Sequence, residues 1–142
     1  MSEAFQIRGG KQLHGEIKPQ GAKNEALQIL CAVLLTGDEI RIKNIPDIHD
    51  VNRLIEILGD FGVKITKNGH GDYTFKADDV NFDYIKSKEF KKDGARLRGS
   101  IMILGPMLAR FGEAYMPTPG GDKIGRRRLD THFQGFVELG AE

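Results

Sequence analysis

Residues 24–43, NEALQILCAVLLTGDEIRIK, decide the fold class because they change from helical to strand periodicity within one short stretch. Asn24 is a favourable N-cap residue, and apolar residues recur after it at helical spacing until Gly37. These positions are Ala26, Ile29, Leu30, Val33 and Leu34. Residues 39–43 then alternate polar and apolar side chains, which is typical of a half-buried strand. The stretch therefore predicts a helix of about three turns followed by a strand.

The next elements extend this alternation of helix and strand. Pro46 ends the first strand, and a second amphipathic pattern follows it and stops near Gly62. The apolar positions of this second helix are Val51, Leu54, Ile55 and Leu58. A turn at Asn68-Gly69 then joins two short alternating runs and predicts a hairpin. The alternating apolar positions of the hairpin are Val63, Ile65, Tyr73 and Phe75.

The second half of the chain repeats this order and indicates an internal repeat. A helix is predicted to end at Gly112, with Pro106 kinking or shortening it, and a short strand is predicted over residues 113–116. A further helix follows the segment 119–128, which lengthens the connection in this second copy. The apolar positions of the two helices are Leu97, Ile101, Leu104, Leu108, Leu129, Phe133, Phe136 and Val137.

The segment 119–132, PGGDKIGRRRLDTH, contains the chemistry that points to an anionic ligand. Consecutive glycines let backbone N–H groups converge on an anion, with Asp122 at the tip of the turn. The three arginines that follow match phosphate or carboxylate oxygens. An ordinary turn beside a solvated surface is the alternative. A P-loop is excluded, because Arg126 and Arg127 occupy the positions of its lysine and its serine or threonine.

Composition narrows the class of protein. The 142 residues, 39% hydrophobic and 29% charged, suit one globular domain, and a formal net charge of +1 provides no basic field for nucleic acid. We expect a cytoplasmic protein with neither nucleic acid nor membrane as a partner, since no apolar run approaches the roughly 20 residues that span a bilayer. Cys31 is the only cysteine, and its apolar neighbours predict a buried, unreactive thiol.

Three ordered blocks of sequence resemble the UDP-N-acetylglucosamine 1-carboxyvinyltransferase family of enolpyruvyl transferases, and together they cover nearly the whole chain. The blocks are GAKNEAL at 21–27, RGSI at 98–101 with LGP at 104–106 and ARFG at 109–112, and the PGG loop with IG at 124–125 and DTH at 130–132. The resemblance implies an α/β (α+β) fold, the inside-out α/β barrel of repeated βαβαββ units arranged in two lobes.

The same resemblance implies that the chain is an N-terminal fragment. Residues 1–21 would form strands that belong to the second lobe, and residues 22–142 would form an incomplete first lobe. Within that lobe, repeat unit 1 would span about 22–90 and a truncated repeat unit 2 about 91–142. The family's general base lies in the missing lobe, so we expect the fragment alone to be inactive.

The function that the resemblance implies is transfer of the enolpyruvyl group from phosphoenolpyruvate to the 3′-hydroxyl of UDP-N-acetylglucosamine, with release of phosphate, at the start of peptidoglycan precursor synthesis. No cofactor and no metal is implied. Lys23 and Asn24 match positions for phosphoenolpyruvate, and Arg98 matches a contact to the nucleotide-sugar. Arg127 matches an arginine near both substrates. The stretch that lines the uridine pocket corresponds to Arg128, Leu129, Asp130, Thr131 and His132.

Asp122 occupies the position where many members of the family carry a cysteine that is the proposed proton donor, although aspartate variants also exist. A carboxylic acid can donate this proton if the site keeps it protonated, although a free aspartate, with a pKa near 3.9, is ionised at pH 7. Substrate anions would raise its pKa and the neighbouring arginines would lower it. Fosfomycin alkylates the cysteine enzymes, so the resemblance implies resistance here, because a carboxylate is the poorer nucleophile.

Two other functions stay open at this point. The related 3-phosphoshikimate enolpyruvyl transferase shares fold and chemistry but uses a different acceptor. From another class, the arginine cluster would suit a non-catalytic module that binds anions or nucleic acid. Without the resemblance, an exposed lysine beside an ordinary N-cap is the preferred interpretation of Lys23 and Asn24. The oligomeric state is not predicted.

Overall fold

The helix and strand predicted from residues 24–43 are both present in the computed structural model, which describes residues 4–118, 120 and 128–142. Helix α1 spans Lys23–Ala32, a 3-10 turn follows at Val33–Leu35, and strand β1 spans Glu39–Ile42. The prediction of Asn24 as N-cap is wrong. Ala22, in an extended conformation, is the N-cap, so Asn24 lies inside the first turn of α1. The Asn24 side chain therefore does not cap the helix.

The remaining elements of the first half form the predicted helix and hairpin. Helix α2 spans His49–Asp60, strand β2 spans Lys64–Gly69 and strand β3 spans Asp72–Lys76. The turn lies at residues 70–71 rather than at Asn68-Gly69. The physical reason is that Gly71 takes a φ of +64° and its carbonyl accepts a hydrogen bond from the Ile45 amide at 2.9 Å, which anchors the turn at this residue.

The three strands form one antiparallel sheet in the order β1-β3-β2. Phe75 on the central strand is in register with Ile40 on one side and Ile65 on the other. Because alternate side chains of a strand face the same side, these apolar residues line one face, and α1 and α2 cover it. Phe75 is 1% exposed, so the central strand supplies the deepest part of the sheet side of the core.

The core contains the apolar faces of the first half and a few residues from the second. Phe61 packs edge to face against Tyr84 and Phe90, with ring centroids 5.3 Å and 5.2 Å apart. Cys31 is 1% exposed, and desolvation raises the pKa of its thiol to about 12. The prediction of a buried, unreactive cysteine is therefore confirmed.

The second half differs from its predicted pattern. A short helix α3 spans Lys88–Gly94, a 3-10 segment spans Arg98–Ile103, helix α4 spans Leu104–Phe111 and helix α5 spans Asp130–Glu138. Pro106 lies in the first turn of α4, where its missing N–H costs little, because the helix is shortened to begin at Leu104. The strand predicted over residues 113–116 is wrong, since these residues have no neighbouring strand to pair with in the described sheet.

Residues 4–22 form neither helix nor strand and are almost entirely exposed. Their large apolar side chains, Phe5, Ile7, Leu13 and Ile17, are each at least 88% exposed. The assignment of residues 1–21 to a second lobe concerns pairing with strands outside this chain, so it stays a prediction. No helix within the described residues is long and apolar enough to cross a membrane.

Candidate anion-binding cleft

A cleft of about 790 Å³ lies between the first turns of α1 and α2 on one side and residues 95–102 on the other. Its polar and charged lining side chains are Lys23, Asn24, Gln28, His49, Asp50, Arg96 and Arg98. Gly120 also lines it and is the described residue of the PGG sequence at 119–121, which we call the glycine loop. The cleft therefore brings together three of the residues predicted to bind substrate, Lys23, Asn24 and Arg98.

The starts of α1 and α2 both favour an anion. The N-cap residues, Ala22 and Ile48, have no side chain that accepts a hydrogen bond from a first-turn amide. Such amides carry the positive end of the helix dipole. Gly21 fixes where α1 begins, because a β-carbon at this position would lie 2.0 Å from the Asn44 carbonyl oxygen. No larger residue fits there without moving the helix start and Lys23 with it.

Lys23 is held by an ion pair across the cleft wall. Its Nζ lies 2.9 Å from Oδ2 of Asp50, which is in the first turn of α2. The two side chains are 49% and 41% exposed, so the pair faces the opening rather than the core. One of the three N–H donors of the ammonium is used by Asp50, and the others are available to a ligand.

Arg96 and Arg98 lie on the opposite wall, in a segment that buried hydrogen bonds hold in place. Ser100 is the buried polar residue of the described chain, and its Oγ lies 2.8 Å from the Gly94 carbonyl and 2.6 Å from the Leu97 carbonyl. The hydroxyl thus closes the turn that carries both arginines. Arg98 is half-buried, whereas Arg96 is exposed.

A second link fixes this wall relative to α2. The Arg53 guanidinium forms ion pairs with Asp93, at the end of α3, and with Glu56, at 2.5 Å. Hydrogen bonds to Glu56 and then to Asp93 raise the pKa of Arg53, so the guanidinium stays protonated. Arg53 thus ties α2 to the end of α3, directly before the arginine wall.

The glycine loop begins directly against the arginine wall. A β-carbon on Gly120 would lie 1.9 Å from the Ala95 carbonyl oxygen, so only glycine permits this approach. Asp122 and Arg127, the predicted proton donor and the arginine predicted near both substrates, lie outside the described residues. The described start of their loop is in the cleft with Lys23, Asn24 and Arg98.

The residues predicted for the uridine pocket lie at the start of α5 and do not line this cleft. Arg128 Nε lies 3.1 Å from Oδ2 of Asp130, and both side chains are largely exposed. Leu129 is half-buried, while Thr131 and His132 are exposed. The structure therefore separates this group from the residues that share the cleft.

Four polar lining residues, Gln28, His49, Asp50 and Arg96, were missed by sequence reasoning. Asp50 had one available signal, since it is an acidic residue in the first turn of a predicted helix. Its pairing with Lys23 joins residues far apart in the chain, and spacing does not reveal such a contact. No cluster of His, Cys, Asp or Glu among the described residues has an arrangement that would hold a metal ion.

The charges of the cleft suit a ligand with more than one negative charge. Lys23, Arg96 and Arg98 provide three cations against the single carboxylate of Asp50, and two helix starts add partial positive charge. Compact lysine and forked arginine donors together match phosphate and carboxylate oxygens. The geometry can therefore hold a phosphate-bearing small molecule.

Known proteins resemble the chain over nearly its whole length. A UDP-N-acetylglucosamine 1-carboxyvinyltransferase of Bacteroides thetaiotaomicron is 57% identical over 98% of the chain, and that of Bacteroides fragilis is 58% identical over 98%. The enzyme of the same name in Porphyromonas gingivalis is 55% identical over 97%. The chain spans about a third of each relative, 32% of its length.

Fold and family comparisons agree with these relatives. The crystal structure of the enolpyruvyl transferase NikO from Streptomyces tendae superposes with a TM-score of 0.55 over 73% of this chain and 23% of that chain, at 24% identity. This likeness confirms the predicted fold. The family described as EPSP synthase (3-phosphoshikimate 1-carboxyvinyltransferase) matches residues 7–142. The chain therefore belongs to the EPSP synthase family of carboxyvinyltransferases.

Proposed function

We propose that this chain is the amino-terminal third of an enzyme that transfers the enolpyruvyl group of phosphoenolpyruvate to the 3′-hydroxyl of UDP-N-acetylglucosamine. The observation that carries the proposal is that Lys23, Asn24 and Arg98 share one cationic cleft with the start of the glycine loop. The names of relatives that are 55–58% identical favour this acceptor.

The cleft supports distinct roles for its charged groups. Lys23 and the uncapped start of α1 would hold the phosphate of phosphoenolpyruvate, with Asn24 donating a hydrogen bond from its amide. Arg98, on the opposite wall, would bind the nucleotide-sugar, and Arg127 would lie near both substrates. Charges fixed in this way stabilise the transition state without reorganising during the reaction.

The proposed reaction is an addition followed by an elimination. Asp122 protonates the methylene carbon of phosphoenolpyruvate, and the 3′-hydroxyl of the sugar adds to the adjacent carbon and loses its proton to a base. The tetrahedral intermediate then loses phosphate from its central carbon and a proton from its methyl group, which re-forms the carbon–carbon double bond and gives the enol ether of the product. Asp122 is ready for the next cycle once it regains a proton, either from solvent or from the methyl group that loses one in the elimination.

The division of the chain is part of the same proposal. Residues 1–21 would pair with a second lobe, which is supported by the exposed side chains of Phe5, Ile7 and Leu13. Residues 22–142 would be the incomplete first lobe, with units of about 22–90 and about 91–142. Arg128, Leu129, Asp130, Thr131 and His132 would reach the uridine of a substrate that extends beyond the described cleft.

The deciding experiment measures phosphate release by the full-length enzyme with phosphoenolpyruvate and each of two acceptors. UDP-N-acetylglucosamine should support turnover and 3-phosphoshikimate should not, and the reverse result would assign the alternative acceptor. Asp122→Asn should lower kcat by at least about a hundredfold, the usual contribution of a general acid. Asp79→Asn, an exposed control, should leave turnover unchanged. Turnover by the 142 residues alone would contradict the need for a second lobe.

A further inference from the structure

We propose that Asp50 is a positioning residue that holds the Lys23 ammonium toward the phosphate or carboxylate of the anionic substrate. The inference rests on the proposed function, and it starts from the 2.9 Å contact between Lys23 Nζ and Asp50 Oδ2 inside the cleft. Nothing in the sequence motif around Lys23 includes Asp50, which is contributed by a different helix.

The pair joins the starts of two helices that line the same wall. Lys23 is the first residue of α1, and Asp50 is the second residue of α2. The backbone of Asp50 is fixed because the amides of Val51 and Asn52 both donate to the Ile48 carbonyl, at 3.1 Å and 3.0 Å. The carboxylate is therefore a rigid anchor for the flexible four-carbon stem of the lysine.

A role in stability alone does not account for this pair. Both side chains are nearly half exposed, and ion pairs of this exposure contribute little to folding. A control lies away from the cleft, where Lys64 Nζ lies 2.9 Å from Asp78 Oδ1 and Lys76 Nζ lies 3.1 Å from Asp78 Oδ2. Both sites join lysine to an aspartate at similar distances, so they separate an effect on ligand binding from an effect of losing any such ion pair.

The direction of the effect distinguishes positioning from charge. By charge alone, a carboxylate beside the site repels an anionic substrate, and its removal would tighten binding. If Asp50 positions Lys23, its removal returns rotamer freedom to the lysine and weakens binding by up to roughly tenfold. The two explanations therefore predict opposite changes in the KM for phosphoenolpyruvate.

The test compares Asp50→Asn, Asp50→Glu and the control Asp78→Asn in the full-length enzyme. Asp50→Asn should raise the KM for phosphoenolpyruvate about five- to tenfold while kcat changes less than twofold, and Asp50→Glu should recover part of the loss. The thermal midpoint should stay close to that of the wild type. A KM that is unchanged or lower in Asp50→Asn, or an equal rise in Asp78→Asn, would overturn the proposal.

Calorimetric titration with inorganic phosphate keeps this inference separate from the proposed function. If the wild type lacks enolpyruvyl transfer, the proposed function fails, but weaker phosphate binding by Asp50→Asn than by the wild type would still support positioning. Equal or tighter phosphate binding by Asp50→Asn would overturn the positioning role, whatever the activity. Absence of phosphate binding by the wild type would overturn the positioning role, while turnover alone decides the proposed function.

Discussion

The first copy of the helix and strand pattern forms a sheet covered by helices, whereas the second copy does not. In the first, α1 and α2 cover a three-stranded sheet, and both helices contribute buried residues to the core. In the second, residues 113–116 form no strand and α5 has no buried residue. A similar sequence pattern thus produces a packed unit only where neighbouring strands supply a surface to bury against.

Helix α4 of the second copy is held to the first copy by the hydrogen bonds of one arginine. Arg110 on α4 donates from Nη1 toward the carbonyls of Leu34, Thr36 and Ala77, at 3.1, 3.0 and 2.8 Å. These carbonyls end the 3-10 turn after α1 and follow strand β3. Helix α4 is therefore bonded to the first copy and should stabilise it, whereas α5 buries no residue against the core.

The largest expected effect comes from matched phenylalanine truncations in the two copies. Phe61→Ala removes a fully buried ring and should lower the free energy of unfolding of the 142-residue chain by about 3–5 kcal/mol. Phe133→Ala on α5, where the ring is 49% exposed, should cost less than about 1 kcal/mol. Urea unfolding measures both values. Similar losses in the two variants would show that α5 is packed, and would contradict the difference in packing between the two copies.

The next effect concerns the turn near the start of the second copy, which carries Arg96 and Arg98. Ser100→Ala leaves the Gly94 carbonyl without its buried hydroxyl donor, while the Leu97 carbonyl keeps the Ser100 amide, and it should destabilise the chain by about 1–3 kcal/mol. Ser87→Ala removes only the N-cap bond to the Phe90 amide, at 3.0 Å, and should cost about 1 kcal/mol. Thermal unfolding of both variants tests this order, which a larger loss in Ser87→Ala would contradict.

A smaller effect is expected where the second copy contributes charge to the cleft. Arg96→Gln should weaken binding of phosphoenolpyruvate to the full-length enzyme about threefold to tenfold, because the anion loses one charged donor. Lys92→Gln removes the same charge from an exposed position on α3 that does not line the cleft, and its binding should match the wild type. Calorimetry at two salt concentrations would measure both. Equal weakening would assign the effect to net charge rather than to Arg96.

The smallest effect concerns acid stability of the complete copy. Hydrogen bonds from Lys64 and Lys76 lower the pKa of Asp78 from 3.8 to about 2. Because the folded pKa is depressed, the stabilisation is fully present above pH 3.8 and is lost as pH falls toward 2. Asp78→Asn should therefore reduce the slope of unfolding free energy against pH in this window, while Asp79→Asn serves as the control. An unchanged slope would show that the lysines do not hold this carboxylate.

Local patterns predicted the elements of the first copy well, and they failed where an interaction between distant residues decides the outcome. The spacing of Leu54 and Leu58 placed α2 correctly, since one apolar face is enough to define a helix. The residue types Asn68-Gly69 predicted a turn at that position, but the hydrogen bond between Ile45 and Gly71 places the turn at residues 70–71. The strand predicted after Gly112 does not form, because the described sheet offers it no strand to pair with, and local spacing carries no information about such a partner.

The candidate site divides in the same way. The motif around Lys23 and Asn24 and the one around Arg98 were recognisable in the sequence, and the structure brings them to one cleft. Asp50 and Arg96 were not recognisable, because an ordinary surface acid and an ordinary surface arginine have the same local signature. Asp50 comes beside Lys23 because α2 packs against α1, and Arg96 follows the end of α3, which Arg53 ties to α2.

The sequence by itself determined α1, α2 and α5, the strands of the first copy and the burial of Cys31. Periodicity and residue type act over a few positions, so they are readable without a fold. Only the tertiary structure decided which cations share a cleft, that Asp50 holds Lys23, and that α5 stays unpacked. These outcomes depend on contacts between residues far apart in the chain, and such contacts form only when the helices and the sheet have packed together.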